Sequence, residues 1–188
     1  MKIALIRHGA TAGNAEKRYV GSTDEPLSER GIAALHGRRY PDVEQVYASP
    51  MKRCLETAAL LYPPAVPTVV EGFRECDFGA FEYRNYDELK NDAAYQAWID
   101  SGGTLPFPNG EDRAGFSQRS RAAFLQIAET ARSPRIAVVA HGGTLMAIME
   151  RFAFPQRGYY DYQIGNGAGF WCEWENGRLS ILRRLPLE

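Results

Sequence analysis

The 188-residue chain has no surplus of basic residues: 22 Lys and Arg stand against 23 Asp and Glu. A protein dedicated to nucleic acid gains affinity by releasing counterions from phosphates, and a net charge of −1 supplies no such surface. Cysteine is scarce and odd in number. Cys54, Cys76 and Cys172 form neither an even disulfide framework nor a CxxC ligand pair, which points to a reducing, cytoplasmic setting. Long apolar runs are missing too. The first one, residues 3–6, gives way to Arg7-His8, too early for a signal peptide or a membrane span. There is no internal repeat and no low-complexity stretch. What remains, 45% hydrophobic and 12% aromatic residues, is enough to build one hydrophobic core, so residues 1–188 are expected to form a single domain.

The order of elements follows from periodicity and punctuation. Residues 3–6 read as a strand buried on both faces. Ser28 is a candidate N-cap for a helix that Pro41 closes. Residues 45–48 read as a second strand, after which Ser49-Pro50 offers an N-cap and first-turn proline for a helix reaching Leu61. A third strand is expected at residues 68–70. Two helices, at about 86–100 and 111–132, are separated by Gly102-Gly103 and the 106–110 turn, and residues 84–132 are expected to form a helical lid. Residues 136–140 read as a buried strand and 143–152 as the helix behind it. Asn176-Gly177 lies between two strand-like runs, the strongest short hairpin signal. Alternating strands and helices predict an α/β fold, a three-layer sandwich with a mostly parallel central sheet and helices on both faces.

Histidine is as scarce as cysteine. The chain has three, and two of them end apolar strands in the same way, as Leu5-Ile6-Arg7-His8-Gly9 and Val138-Val139-Ala140-His141-Gly142-Gly143. The third, His36, falls among polar helix positions. Ligands of open α/β sheets bind at the carboxyl ends of strands, so neighbouring strands would bring His8 and His141 to one crevice. Arg7 and Arg53 place guanidinium groups at two such ends, and a planar, permanently charged fork suits phosphoryl oxygens. The same cations oppose a divalent metal, and neither histidine falls in an HxxxH or HExxH pattern. No metal or other cofactor is called for.

These residues can be placed in a family. Arg7-His8-Gly9-Ala10-Thr11-Ala12-Gly13-Asn14 resembles the RHGxTxxN motif of the histidine phosphatase superfamily, the phosphoglycerate-mutase-like enzymes. The likeness continues through Gly21 to Leu27 with Gly31, Ser49 to Arg53 with Thr57-Ala58, Arg74-Glu75-Cys76-Asp77-Phe78-Gly79, Gly110-Glu111 and His141-Gly142-Gly143. The shortness of the chain resembles the compact bacterial branch that includes α-ribazole phosphatase. The resemblance implies a phosphomonoesterase that passes phosphate through His8, with a small organic phosphate such as α-ribazole phosphate or a sugar phosphate as its partner. A homodimer is compatible with it. A mutase of the same fold, or a phosphoester-binding protein without turnover, are the alternatives.

The implied roles are specific. His8 attacks phosphorus; Arg7, Arg53 and His141 neutralise the transferring oxygens; Glu75 is the general acid and then base, with Asp77 and Glu82 as alternatives. Asn14 fixes the phosphate or the loop after the first strand, and backbone N–H groups near Gly21 and Gly142 are further candidate donors. One departure stands out. The family's W-E-G triplet reads Phe81-Glu82-Tyr83 here, and loss of the glycine is expected to reshape the pocket rim. Cys54 and Cys76, beside Arg53 and Glu75, are expected to be small buried hydrophobes.

Overall fold

A computed structural model describes residues 1–187. Its strands are β1 (Lys2–Arg7), β2 (Gln45–Ala48), β3 (Thr68–Val69), β4 (Arg135–Ala140), β5 (Ala153–Phe154), β6 (Gly169–Glu175) and β7 (Arg178–Leu185). They form one sheet in the order β3-β2-β4-β1-β6-β7-β5. The pairs β2/β3, β2/β4, β1/β4 and β5/β7 are parallel, while β6 runs antiparallel to β1 and β7. The β6–β7 connection is the expected hairpin: Asn176 (φ 50°) and Gly177 (φ 75°) both take the left-handed backbone that a two-residue turn needs to match strand twist.

The helices are α1 (Ala12–Ala15), α2 (Glu29–Leu35), α3 (Lys52–Leu61), α4 (Tyr86–Leu89), α5 (Ala93–Asp100), α6 (Arg113–Thr130) and α7 (Gly142–Phe152). Because strand side chains alternate, the apolar runs of β1 and β4 serve both faces at once. Ile3, Leu5, Ile136 and Val138 meet Phe124 and Ile127 of α6 and Leu145, Ile148 and Phe152 of α7. Ala4, Ile6, Ala137 and Val139 meet Cys54 and Ala58 of α3 on the other face. These are the three layers.

Three sequence expectations are corrected. The helix from Ser28 ends at Leu35 rather than near Tyr40, and Gly37 follows with φ 76°. Helix α3 begins at Lys52 with Met51 as its N-cap; Ser49 lies two residues earlier, where its Oγ meets His141 Nε2 at 2.8 Å and accepts from Met51 N–H at 3.4 Å. The 84–132 stretch is not a lid throughout: α6 lays Phe124, Ile127 and Ala128 into the main core. Its first part does stand apart. Leu89 of α4 and Tyr95 of α5 pack with Phe81, Phe107, Phe116 and Tyr159 in a separate cluster beside the sheet's carboxyl edge.

No helix among the described residues is long and apolar enough to cross a membrane.

Candidate active site

The site begins with the register of two parallel neighbours. Arg7 of β1 pairs with Ala140 of β4, so the next residues, His8 and His141, leave the sheet side by side. Their rings meet edge to face, 5.2 Å between centroids and 64° between planes. His8 is held from several directions. Its N–H donates to Ala140 O at 3.0 Å, and Gly9 N–H donates to Thr57 Oγ1 of α3 at 2.9 Å. Asn166, in the loop before β6, donates to the His8 carbonyl at 3.2 Å.

His8 Nδ1 lies 2.6 Å from the Gly9 carbonyl oxygen. A carbonyl can only accept, so Nδ1 carries the proton and Nε2 keeps its lone pair. Burial holds the imidazole pKa well below its ordinary value, and the positive charges of Arg53 and Arg7 lower it further. His8 is thus a neutral imidazole at neutral pH.

Both arginines are where the sequence suggested, and their contacts differ. Arg7 donates from Nη1 to Ile164 O at 2.7 Å, while its Nε is buried with no acceptor. An unmatched buried donor on a guanidinium is what a site for an incoming anion requires. Arg53 is wholly buried, as the sequence of α3 alone would not suggest. Nη1 donates to Thr23 O at 2.7 Å, Nη2 to Gly21 O at 2.9 Å and Val20 O at 3.4 Å, and Nε to His141 Nδ1 at 3.3 Å. His141 is also fully buried, and its Nε2 lies 2.8 Å from Ser49 Oγ. Since Nδ1 accepts from Arg53, Nε2 carries the proton and donates to Ser49. Burial, and then Arg53, hold the His141 pKa well below its ordinary value.

Glu75 stands over the first turn of α7. Its Oε1 accepts from Cys76 N–H at 3.0 Å and its Oε2 from Gly143 N–H at 3.2 Å. Burial raises its pKa; the two backbone donors, Arg53 and Arg7 pull the other way and only partly offset it. Two cavities share this carboxyl group. One, of about 190 Å³, is largely aromatic, with Tyr19, Phe78, Trp98, Phe107 and Tyr159 in its wall. The other, of about 550 Å³, is polar and carries Asp77, Glu71, Glu111, Arg74 and Arg119. Arg113, whose guanidinium stacks 4.1 Å above the Tyr159 ring, is the only cation lining the aromatic cavity among the described residues.

Other candidates fall differently. The Gly21 N–H is not a free donor, because Glu82 Oε1 accepts it at 2.9 Å. What the chain needs at Gly21 is closeness: a Cβ there would sit 2.1 Å from Cys76 O. Gly142 opens α7 against Arg7, with room for a Cβ 3.5 Å from the guanidinium. Asn14 Oδ1 accepts from Thr11 N–H and from Asn166 Nδ2, which secures the loop after β1. Glu82 also accepts from Thr23 N–H, and Asp77 Oδ1 is engaged by Gly79 N–H. Tyr83 does not line either cavity beside Glu75. Its backbone is left-handed (φ 57°), a conformation that glycine adopts without strain, and its hydroxyl donates to Glu25 Oε2 at 3.1 Å. Cys54, Cys76 and Cys172 are buried free thiols, and burial pushes Cys172 up to about 12. Ser49, Thr57, Asn166 and Gly143 were not singled out as site residues in the sequence. Ser49, Thr57 and Gly143 stand inside stretches that match the family, which could have flagged them; Asn166 carries no such signal.

The sequence pattern describing the histidine phosphatase superfamily (branch 1) matches residues 3–185. The chain belongs to this family. Among relatives, the adenosylcobalamin/α-ribazole phosphatase of Escherichia coli K12 is 30% identical over 179 residues, spanning 89% of this chain and 87% of that protein. The metal-independent phosphoserine phosphatase of Arabidopsis thaliana is 34% identical over 161 residues, 80% of this chain and 68% of its own. Among solved structures, the α-ribazole phosphatase of Shigella flexneri superposes with a TM-score of 0.87 at 25% identity, covering 100% of this chain and 96% of that one. A phosphoglycerate mutase from Thermus thermophilus follows at 0.76 and 26%, with both chains fully covered. The α/β architecture predicted from the order of elements, which the motif resemblance marked as phosphoglycerate-mutase-like, is therefore the observed one. Among the described residues of this histidine phosphatase, no three His, Cys, Asp or Glu side chains gather where they could hold a metal ion.

Proposed function

We propose that the chain hydrolyses a small phosphomonoester without a metal, by way of a phosphohistidine on His8. One observation carries this reading: His8 is locked with Nδ1–H on the Gly9 carbonyl, leaving Nε2 unprotonated among Arg7, Arg53 and His141. In the first step Nε2 forms a bond to phosphorus as the ester oxygen leaves. In this reading Arg7 Nε, which has no other acceptor, and the Arg53 N–H left over after its four acceptors take equatorial oxygens of the transferring group. Glu75, protonated more readily than an ordinary carboxyl group, gives its proton to the departing oxygen. In the second step the Glu75 carboxylate takes a proton from water, whose oxygen displaces His8 from phosphorus and releases inorganic phosphate.

The surroundings of Glu75 bear on the substrate. A flat, weakly charged organic group suits the aromatic cavity, where stacking on Tyr, Trp and Phe rings adds to burial. This favours α-ribazole phosphate over a sugar phosphate. A mutase must hold a second phosphate near the first. The polar cavity sets Glu71, Asp77, Glu111 and Glu75 against Arg74 and Arg119, and Arg74 and Arg119 are already paired with Glu71 and Glu111. That excess of negative charge supports hydrolysis over transfer. Three buried, unpaired thiols suit action in the cytoplasm.

The test is phosphate release from p-nitrophenyl phosphate with and without excess EDTA, together with acid-labile labelling of His8. Release that persists in EDTA, with label on His8, is expected. Loss of activity in EDTA that a divalent cation restores would overturn the metal-free mechanism.

A further inference from the structure

The Arg53 guanidinium is a fully buried charge with no carboxylate within ion-pairing distance among the described residues. Burying an ion in this way is costly unless its charge is matched nearby. Its Nη atoms face the carbonyls of Val20, Gly21 and Thr23. On the far side of the same loop, Glu82 Oε1 accepts two N–H groups, from Gly21 and from Thr23, each at 2.9 Å. The peptide unit joining Val20 and Gly21 is therefore sandwiched: its N–H points at a carboxylate and its C=O at a guanidinium. A dipole so aligned transmits attraction between the two charges and is itself held in place by both.

Glu82 has nothing else to do. Its Oε2 is buried without a donor, so every hydrogen bond its carboxylate makes within the described residues goes through Oε1 to this loop. The loop in turn has no slack. A Cβ at Gly21 would meet Cys76 O at 2.1 Å and Glu82 Oε2 at 2.8 Å. Arg53 then passes its position on, since Nε donates to His141 Nδ1 at 3.3 Å.

We propose that Glu82 is a positioning residue: its carboxylate, acting through the Gly21 and Thr23 amides, fixes the loop that orients Arg53 and balances Arg53's buried charge. Glu82 touches no reacting atom in this arrangement, which sets it apart from Glu75. The inference rests on the reading of Arg53 as a ligand of the transferring phosphoryl group.

A double-mutant cycle read by binding tests it, with orthovanadate as the probe because its five-coordinate adducts imitate the transferring group. Glu82→Gln keeps the shape and an acceptor oxygen but removes the charge. Vanadate affinity should fall about tenfold in this variant, within the usual range of coupling between residues of one network. In an Arg53→Gln background the same change should cost less than about twofold. For catalysis, Glu82→Gln should lower kcat with little effect on KM, since equatorial oxygens are gripped most in the transition state. Equal losses of vanadate affinity in both backgrounds would overturn the inference, as would no loss in either. Should Glu82→Gln not fold, Glu82→Asp, which keeps the charge but shortens its reach, enters the same cycle: a loss confined to the Arg53 background supports the inference, and equal losses or none overturn it. Failure of the unaltered protein to bind vanadate would instead overturn the phosphoryl-transfer reading, and this one with it.

Discussion

Ser49 Oγ lies 2.8 Å from His141 Nε2, joining the end of β2 to the end of β4 across the floor of the site. With Arg53 on the other ring nitrogen, this bond decides that Nε2 holds the proton and Nδ1 faces the guanidinium. Ser49→Ala leaves the buried His141 Nε2–H with only the weak acceptor Cys54 Sγ, 3.6 Å away, a cost of about 1 kcal/mol in stability. Because His141 and Arg53 orient each other, kcat should fall roughly tenfold, as for a loss of about 1.4 kcal/mol in the transition state. Thermal melting and p-nitrophenyl phosphate turnover of the same preparation check both. An unchanged kcat would mean that the ring needs no anchor.

His8→Ala removes the nucleophile of the proposed reaction. Losses for groups that act as a unit reach about 10⁴-fold or more in kcat, and acid-labile labelling should vanish with them. The fold should persist, since β1 is held by its ladders to β4 and β6 and not by this side chain. Circular dichroism and rapid-quench labelling decide it; label on the variant would place the nucleophile elsewhere.

Much of this arrangement was legible in the sequence because it is local. Two apolar strands each ending in His-Gly can meet only if they lie side by side and parallel, and a doubly covered sheet arranges that. The misreadings were tertiary. Ser49-Pro50 carries the local chemistry of a helix start, yet the shorter bond of Ser49 Oγ is to His141, 92 positions away, and only a 3.4 Å contact with Met51 N–H serves the helix. Helix α6 passed for a lid because its buried face includes Ser117 and Ser120 among Phe116, Phe124 and Ile127, so its apolar stripe is broken. Three of the four acceptors of Arg53 are backbone carbonyls some 30 residues distant, and carbonyls leave no mark on side-chain pattern.

Tyr83→Gly restores the family's usual residue and tests whether Tyr83 shapes substrate choice. A left-handed backbone costs a non-glycine residue about 1–2 kcal/mol, which the variant relieves. It gives up the bond to Glu25, the stacking of Arg18 over the ring at 5.2 Å, and chain entropy. These offset one another, so stability should change by less than about 1 kcal/mol. The side chain lines neither cavity beside Glu75, so kcat/KM should stay within about twofold for every ester tried. A change in the order of preferred substrates would return Tyr83 to the pocket rim.

The two buried histidines make stability depend on pH in a definite direction. Their folded pKa values lie below the ordinary 6.5, so an unfolded chain binds protons that the folded one refuses. The stability they contribute is fully present above about pH 6.5 and is lost as pH falls below it, by up to about 1.4 kcal/mol per pH unit for each. Glu75 acts with the opposite sign. Its raised pKa lets the folded chain keep a proton that the unfolded one has released, which favours the folded state at pH values below its folded pKa. Urea midpoints measured between pH 8 and pH 5 should decline, and should decline less in His8→Gln. Identical curves for the two proteins would mean that His8 takes up its proton without unfolding.

Glu75→Gln separates the roles of this carboxyl group by the leaving group it serves. The amide oxygen can still accept one of the two N–H groups, from Cys76 or from Gly143, while the NH2 that replaces the second oxygen cannot accept the other, so the first turn of α7 keeps one of its two contacts. A nitrophenolate leaves without help, and the first step with an aryl ester should slow only slightly. An alkoxide must be protonated as it departs, and general acid catalysis there is worth roughly 10²–10⁴-fold. Rapid-quench measurement of phosphohistidine formation isolates that step, whereas steady-state rates mix it with water activation by the same residue. A much larger loss with alkyl than with aryl phosphate is expected. Equal losses would take the acid role from Glu75, and Asp77 would inherit it, since Glu82 is bound to the 20–23 loop while Asp77 opens onto the polar cavity.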